Sequence, residues 1–160
     1  GGIDAPGEER TFLISTTNGA EMPGLGAFTA VVARYKEEGV VEHLWKYGRA
    51  LIDGFNEVSR SLGLEQVFSM EGSPPTMNFI TRDSDRRPSL AFRTLFCQEM
   101  IRNGVLMPWI SVSFAHRDEE LKRTLDAAEA ALKVYKKALE DGIARYLKGP
   151  IIKPVFRTHN

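Results

Sequence analysis

Leu121, Leu125, Ala128, Leu132, Tyr135 and Leu139 recur three and four residues apart. Only an α-helix turns that spacing into one unbroken apolar stripe, and such a stripe is stable in water only when other elements cover it. The chain must therefore fold around this helix. Asp118, Glu119 and Glu120 open it, which suits the positive end of a helix dipole. The pattern predicts that it continues through Ile143 and Leu147 to Gly149-Pro150.

What covers the stripe lies upstream. Val40 to Ser61 reads as a helix with Val41, Leu44, Trp45, Leu51, Ile52, Phe55 and Val58 on one face. Gly48 on that face allows a close neighbour, and Gly63 is placed to end the helix. Before it, Leu25, Phe28, Val32 and Tyr35 predict another helix, separated from it by Glu37-Glu38-Gly39. Its start is set either by a capping box from Asn18 to Glu21 or by Pro23 in the first turn. Gln66–Met70 and Met77–Thr81 read as an antiparallel pair of strands joined by Glu71-Gly72-Ser73-Pro74-Pro75. Pro88 and Ser89 open a helix that runs to Ile101. In Val105–Ala115, Ile110, Val112 and Phe114 alternate with Ser111 and Ser113, which predicts a third strand. The result is a compact β-β-α-β-α unit with a three-stranded antiparallel sheet, preceded by one strand and two helices, an α/β chain of α+β character.

The strand that comes first, Thr11–Ser15, has no partner nearby in sequence. A lone strand cannot satisfy its backbone groups, so a sheet outside these 160 residues is expected to hold it. The opening Gly1-Gly2-Ile3-Asp4-Ala5-Pro6-Gly7 reads as loop and is expected to belong to a processed or excerpted piece.

Charge and composition exclude several functions. Lys plus Arg and Asp plus Glu both number 21, for a net charge of +0, so no electrostatic footprint favours nucleic acid or an anionic membrane. No apolar run approaches a membrane span. The single Cys97 excludes an internal disulfide and suits a reducing cytoplasm. His43, His116 and His159 lack metal-ligand spacing, so no metal site is expected. Cys97 between Phe96 and Gln98 reads as a small hydrophobe on a helix. Arg86-Arg87 reads as a solvated loop, and Trp45 and Tyr47 as packing residues.

One cluster has chemical content. Ser15-Thr16-Thr17-Asn18-Gly19 sets hydroxyls and free N–H groups at a strand end before a helix. That arrangement caps a helix or holds a phosphate oxyanion, and the residues alone leave both open.

Several segments together resemble the glutamate-1-semialdehyde aminomutase branch of the class III pyridoxal-phosphate (PLP) dependent aminotransferases. They are Thr11–Glu21 (TFLISTTNGAE), His43-Leu44-Trp45 with Gly48, Pro75–Thr81 (PTMNFIT) and Phe92–Leu132. The ending Lys153-Pro154-Val155-Phe156-Arg157 is similar to relatives tied to surface-polysaccharide synthesis. The resemblance implies a fold type I enzyme whose C-terminal small domain is present here. Residues 1–38 would end the large PLP-binding domain, 39–64 form the interdomain helix, and 65–160 form the small domain with its tail. It implies a homodimer in which Thr16, with Thr17 and Ser15 as neighbours in register, reaches the partner subunit's cofactor phosphate. Amino donor and carbonyl acceptor would be small molecules.

The same resemblance carries departures. The Schiff-base lysine and the aspartate on the pyridine nitrogen would lie before Gly1, and the first lysine is Lys36, so this stretch alone is expected to be inactive. Met107-Pro108-Trp109-Ile110-Ser111 is shorter than the corresponding aminomutase loop. A plain aminotransferase is then at least as well supported as an isomerase. Trp109 is a candidate substrate contact there, against a packing or rim position. The rival from another class is a non-catalytic binding or dimerisation module derived from this fold.

Overall fold

The computed structural model describes residues 21–153. The chain divides into two compact units, Gly1–Val40 and Val41–Asn160.

Of the first unit, the described part is helix α1 (Met22–Glu37). Pro23 lies in its first turn and Glu21 occupies the N-cap without a side-chain bond, so the proline reading of the start holds, while Asn18 lies outside the described residues. None of its residues is buried, and Leu25, Phe28 and Tyr35 are exposed. Gly39, at φ 61°, ends the run as the sequence indicated.

The second unit holds helix α2 (Val40–Ser61, beginning one residue earlier), strands β1 (Phe68–Ser73) and β2 (Thr76–Thr81), and helices α3 (Leu90–Arg102) and α4 (Asp118–Asp141). Its core is aromatic. Phe55, Phe68, Phe79 and Phe96 are at most 1% exposed, with ring centroids 4.8–6.4 Å apart. Around them pack Leu95 and Met100 of α3, and Ala128, Ala131, Leu132 and Tyr135 of α4. The small alanines let α4 approach closely. Leu51, Ile52 and Phe55 bury the second half of the α2 stripe, whereas Val41 and Trp45 in its first half are about half exposed.

Tyr135 ties helix to sheet. Its hydroxyl accepts from Arg82 N (3.0 Å) and lies within bonding distance of Arg82 O (2.5 Å) and Val67 O (3.2 Å). Burial pushes the phenol well above its ordinary value, a shift that the backbone contacts at Arg82 partly oppose.

Two expectations are corrected. The three-stranded antiparallel sheet is a two-stranded one, β1 against β2, with Phe68 opposite Thr81 and Ser73 opposite Thr76. Residues 105–117 form no strand. Side chains have taken the edges that a third strand would need. Asn56 of α2 donates Nδ2 to Met70 O (2.9 Å) and accepts from Met70 N (2.8 Å), standing in for a neighbouring strand at that residue. Ser59 Oγ donates to Phe68 O (2.8 Å), and on β2 Arg93 Nη1 donates to Phe79 O (2.9 Å). The alternation read in 110–115 survives as burial. Ile110, Val112 and Phe114 are half-buried while Ser111, Ser113 and Ala115 are exposed, so the segment lies extended without a ladder.

The last helix is also shorter than its spacing implied. Gly142 adopts φ 90°, which ends α4 at Asp141, and Ile143–Arg145 make one 3₁₀ turn. The segment beyond returns across α3. Gln98 donates to Tyr146 O (2.9 Å) and accepts from Lys148 N (2.8 Å), and Thr94 Oγ1 accepts from Ile152 N (3.0 Å).

Candidate functional site

The extended segment 104–112 runs beside α2 and the start of α4, and a cleft of about 290 Å³ lies among them. Apolar walls come from Leu51, Val105, Met107, Ile110 and Val112. Polar groups come from Tyr47, Ser111, His116, Glu120, Arg123 and Thr124. Trp109 stands at this cleft and is 86% exposed. Within this chain Trp109 therefore sits at the rim of the cleft rather than in the core. Apolar walls with a few convergent polar groups are the usual make-up of a small-molecule site.

Electrostatics at the cleft are set by the first turn of α4. Arg117 N donates to Glu120 Oε2 (2.8 Å), one half of a capping box. That backbone bond, above all, holds the Glu120 carboxyl below its ordinary value, with smaller help from His116 and Arg117. Burial first, and the Glu120 charge second, push the Tyr47 phenol upward, so it remains a neutral hydroxyl. His116 lies 5.4 Å from the Tyr47 ring, and its Nδ1 accepts from Ser113 N (3.1 Å).

His43 lies one helical turn before Tyr47, stacked on it at 6.0 Å, with Phe114 edge-on at 5.1 Å. Its Nε2 is buried without a partner. A second cleft, about 240 Å³, is bordered by His43, Lys46, Tyr47, Arg117 and Asp118. Sequence spacing alone does not group His43, Tyr47 and His116: the histidines lack metal-ligand spacing and Tyr47 reads as a packing residue. The signal available was the four-residue interval from His43 to Tyr47, which sets both on one face of a helix.

Thr16, Thr17 and Ser15, the proposed phosphate contacts, lie outside the described residues. Cys97 is half-buried against the core, and burial, opposed by Arg93, pushes its thiol upward. Arg86 and Arg87 are exposed on their loop. Among the described residues no three His, Cys, Asp or Glu side chains gather where they could hold a metal, and no helix is long and apolar enough to cross a membrane.

A PLP enzyme also needs a desolvated lysine to carry the cofactor. All eight lysines among the described residues, from Lys36 to Lys153, are exposed. Lys136 donates to Leu62 O, while Lys122 and Lys133 pair with Asp126 and Glu129. The described residues do not by themselves make a site that fits PLP.

No family model matches the chain. It is 31% identical over 121 residues to a glutamate-1-semialdehyde 2,1-aminomutase of Desulfatibacillum aliphaticivorans, covering 67% of this chain and 28% of the relative. In fold it is similar to the FumI protein of Sphingopyxis sp. MTA144, solved in its PLP internal aldimine form. There the TM-score is 0.59 at 22% identity, over 74% of this chain and 27% of that one. The chain thus spans about a quarter of the length of each protein it matches. Within that span it is related in sequence to a glutamate-1-semialdehyde aminomutase and shares its fold with part of a PLP-bearing protein, which upholds the resemblance drawn from its residues.

Proposed function

We propose that these 160 residues are the C-terminal part of a class III PLP-dependent aminotransferase or aminomutase, which moves an amino group between small-molecule donor and carbonyl acceptor. The reading rests on the sequence likeness to a glutamate-1-semialdehyde aminomutase, reinforced by the fold shared over 74% of the chain with part of a PLP-bearing protein. In it, residues 1–38 close the large domain, 39–64 link the domains, and 65–160 are the small domain and tail. Two such chains form a homodimer in the cytoplasm, and Thr16, flanked by Ser15 and Thr17, contacts the cofactor phosphate of the partner subunit.

PLP, when bound, supplies the electron sink for the transfer. The described residues supply none of its covalent attachment, so their part is to shape the site. The short Met107–Ser111 segment leaves Trp109 projecting, and Trp109 is the residue of this domain proposed to face a substrate. The shortened loop favours transfer to a separate carbonyl acceptor over an intramolecular amino shift.

The test is reductive trapping. A longer protein carrying this sequence, loaded with PLP and reduced with borohydride, is expected to yield cofactor fixed to a lysine outside residues 1–160. The 160-residue polypeptide treated alike is expected to retain no cofactor and transfer no amino group. PLP fixed to one of this segment's own lysines, with turnover, overturns the proposal.

A further inference from the structure

Ser113 and His116 close a turn, and His116 lines the 290 Å³ cleft. Three bonds hold it. His116 N donates to Ser113 O (3.0 Å), Ala115 N donates to Ser113 Oγ (3.2 Å), and Ser113 N donates to His116 Nδ1 (3.1 Å). The third differs from the others because its acceptor titrates. An imidazole nitrogen that accepts an N–H bond must be unprotonated, which also fixes the neutral ring with its proton on Nε2.

We propose that this turn is a pH-sensitive latch for the cleft wall, closed while His116 is neutral and released when a proton binds Nδ1. The incoming proton occupies the lone pair that Ser113 N–H uses, and two N–H donors then face each other. Ser113 directly follows Ile110, Ser111 and Val112, which line the cleft. Release therefore frees the wall where it joins the turn. The other two bonds keep the turn from unravelling, and the Arg117 N bond to Glu120 holds the start of α4.

The groups around the ring decide how the latch responds. From α2 comes Tyr47, neutral, at 5.4 Å, with His43 stacked behind it. From the start of α4 come the Glu120 carboxylate and, in the cleft wall, Arg123. Arg117 is adjacent, its guanidinium donating to Phe114 O and to His116 O (3.0 Å) and lying over the Phe114 ring at 4.9 Å. The segment 104–112 contributes no charged side chain.

Amide exchange of Ser113 and the ring nitrogens of His116, followed by NMR on the whole protein, test this. In wild type the Nδ1 signal at high pH should be that of an unprotonated acceptor. The protection factor of the Ser113 amide should fall roughly fivefold as His116 titrates, the loss of one ordinary net hydrogen bond. His116→Asn keeps an acceptor oxygen that does not titrate, and in it the fall should vanish. His43→Asn should leave the fall in place. A neutral ring with its proton on Nδ1, protection indifferent to His116 titration, or an equal fall in His116→Asn each overturns the latch.

Discussion

Gly48 of α2 faces the β1–β2 connection so closely that a methyl group there would lie 1.9 Å from Pro74 O and 2.4 Å from Pro74 C. Ordinary contact begins at 3.4 Å, so the overlap with the oxygen is 3.4 − 1.9 = 1.5 Å. Both residues are buried, and Pro74 is held by its ring and by the paired strands on either side. The obstacle is backbone, and either the helix or the hairpin must move. Overpacking costs about 1–3 kcal/mol when side chains can give way, and the upper end applies where they cannot. Alanine returns about 1 kcal/mol of helix propensity. Gly48→Ala should therefore destabilise the fold by about 2 kcal/mol. Gly54→Ala, on the same helix, is the control. Its new methyl meets only the Leu125 side chain, at 2.6 and 2.7 Å from the two Cδ atoms. Leu125 can change rotamer, so the propensity gain roughly offsets the strain and the net cost should stay below about 1 kcal/mol. Urea unfolding followed by circular dichroism separates the two, provided the slope is unchanged. If Gly48→Ala matches wild type, or unfolds no earlier than Gly54→Ala, the packing of α2 on the hairpin is wrong.

Other consequences are open to measurement. Asn56→Ala removes both partners of Met70 N and O, and should cost about 1–3 kcal/mol in the same urea assay. Tyr135→Phe should cost a similar amount by removing the hydroxyl that lies against Arg82 O, while Arg82 N keeps its bond to Val67 O. The Tyr135 pKa is raised in the folded state, so its stabilising contribution is complete below the unfolded value of about 10. It is lost as pH climbs from there towards the raised folded value, and thermal melts of Tyr135→Phe should show a shallower alkaline decline than wild type. In the longer protein, Thr16→Ala should weaken cofactor retention by about 1–3 kcal/mol, measured by cofactor titration, and unchanged affinity would remove Thr16 from the phosphate site.

Periodicity made the helices legible because it records which face is buried. The stripe from Leu121 to Leu139 located α4, and Leu51, Ile52 and Phe55 located the packed half of α2. Periodicity does not record who satisfies the backbone. Ile110, Val112 and Phe114 have the alternation of a strand and keep its alternating burial, yet whether such a segment joins a ladder depends on the edge it meets. That edge had been filled by Asn56 and Ser59, polar residues in the interior of a helix, whose long-range use for capping a strand leaves no local mark in sequence. Gly142 was the opposite case. It lies inside an otherwise helical pattern that Ile143 and Leu147 continue beyond it, yet its positive φ ends the helix.

The same distinction explains the site. Recognition of a family carried the phosphate-binding role to Thr16, whereas the grouping of Tyr47, His116 and Glu120 follows from how α2 meets the start of α4. Tyr47 lies about seventy residues before the other two, and no single helix face links it to them. What did bring them together was core packing: Phe55 and Leu51 of α2 and Ala128 and Leu132 of α4 belong to one hydrophobic cluster, which fixes the two helices as a pair. Substitutions that loosen that cluster away from the cleft, at Phe55 or Leu132, should therefore disturb the Tyr47–His116 contact although neither residue lines the cleft.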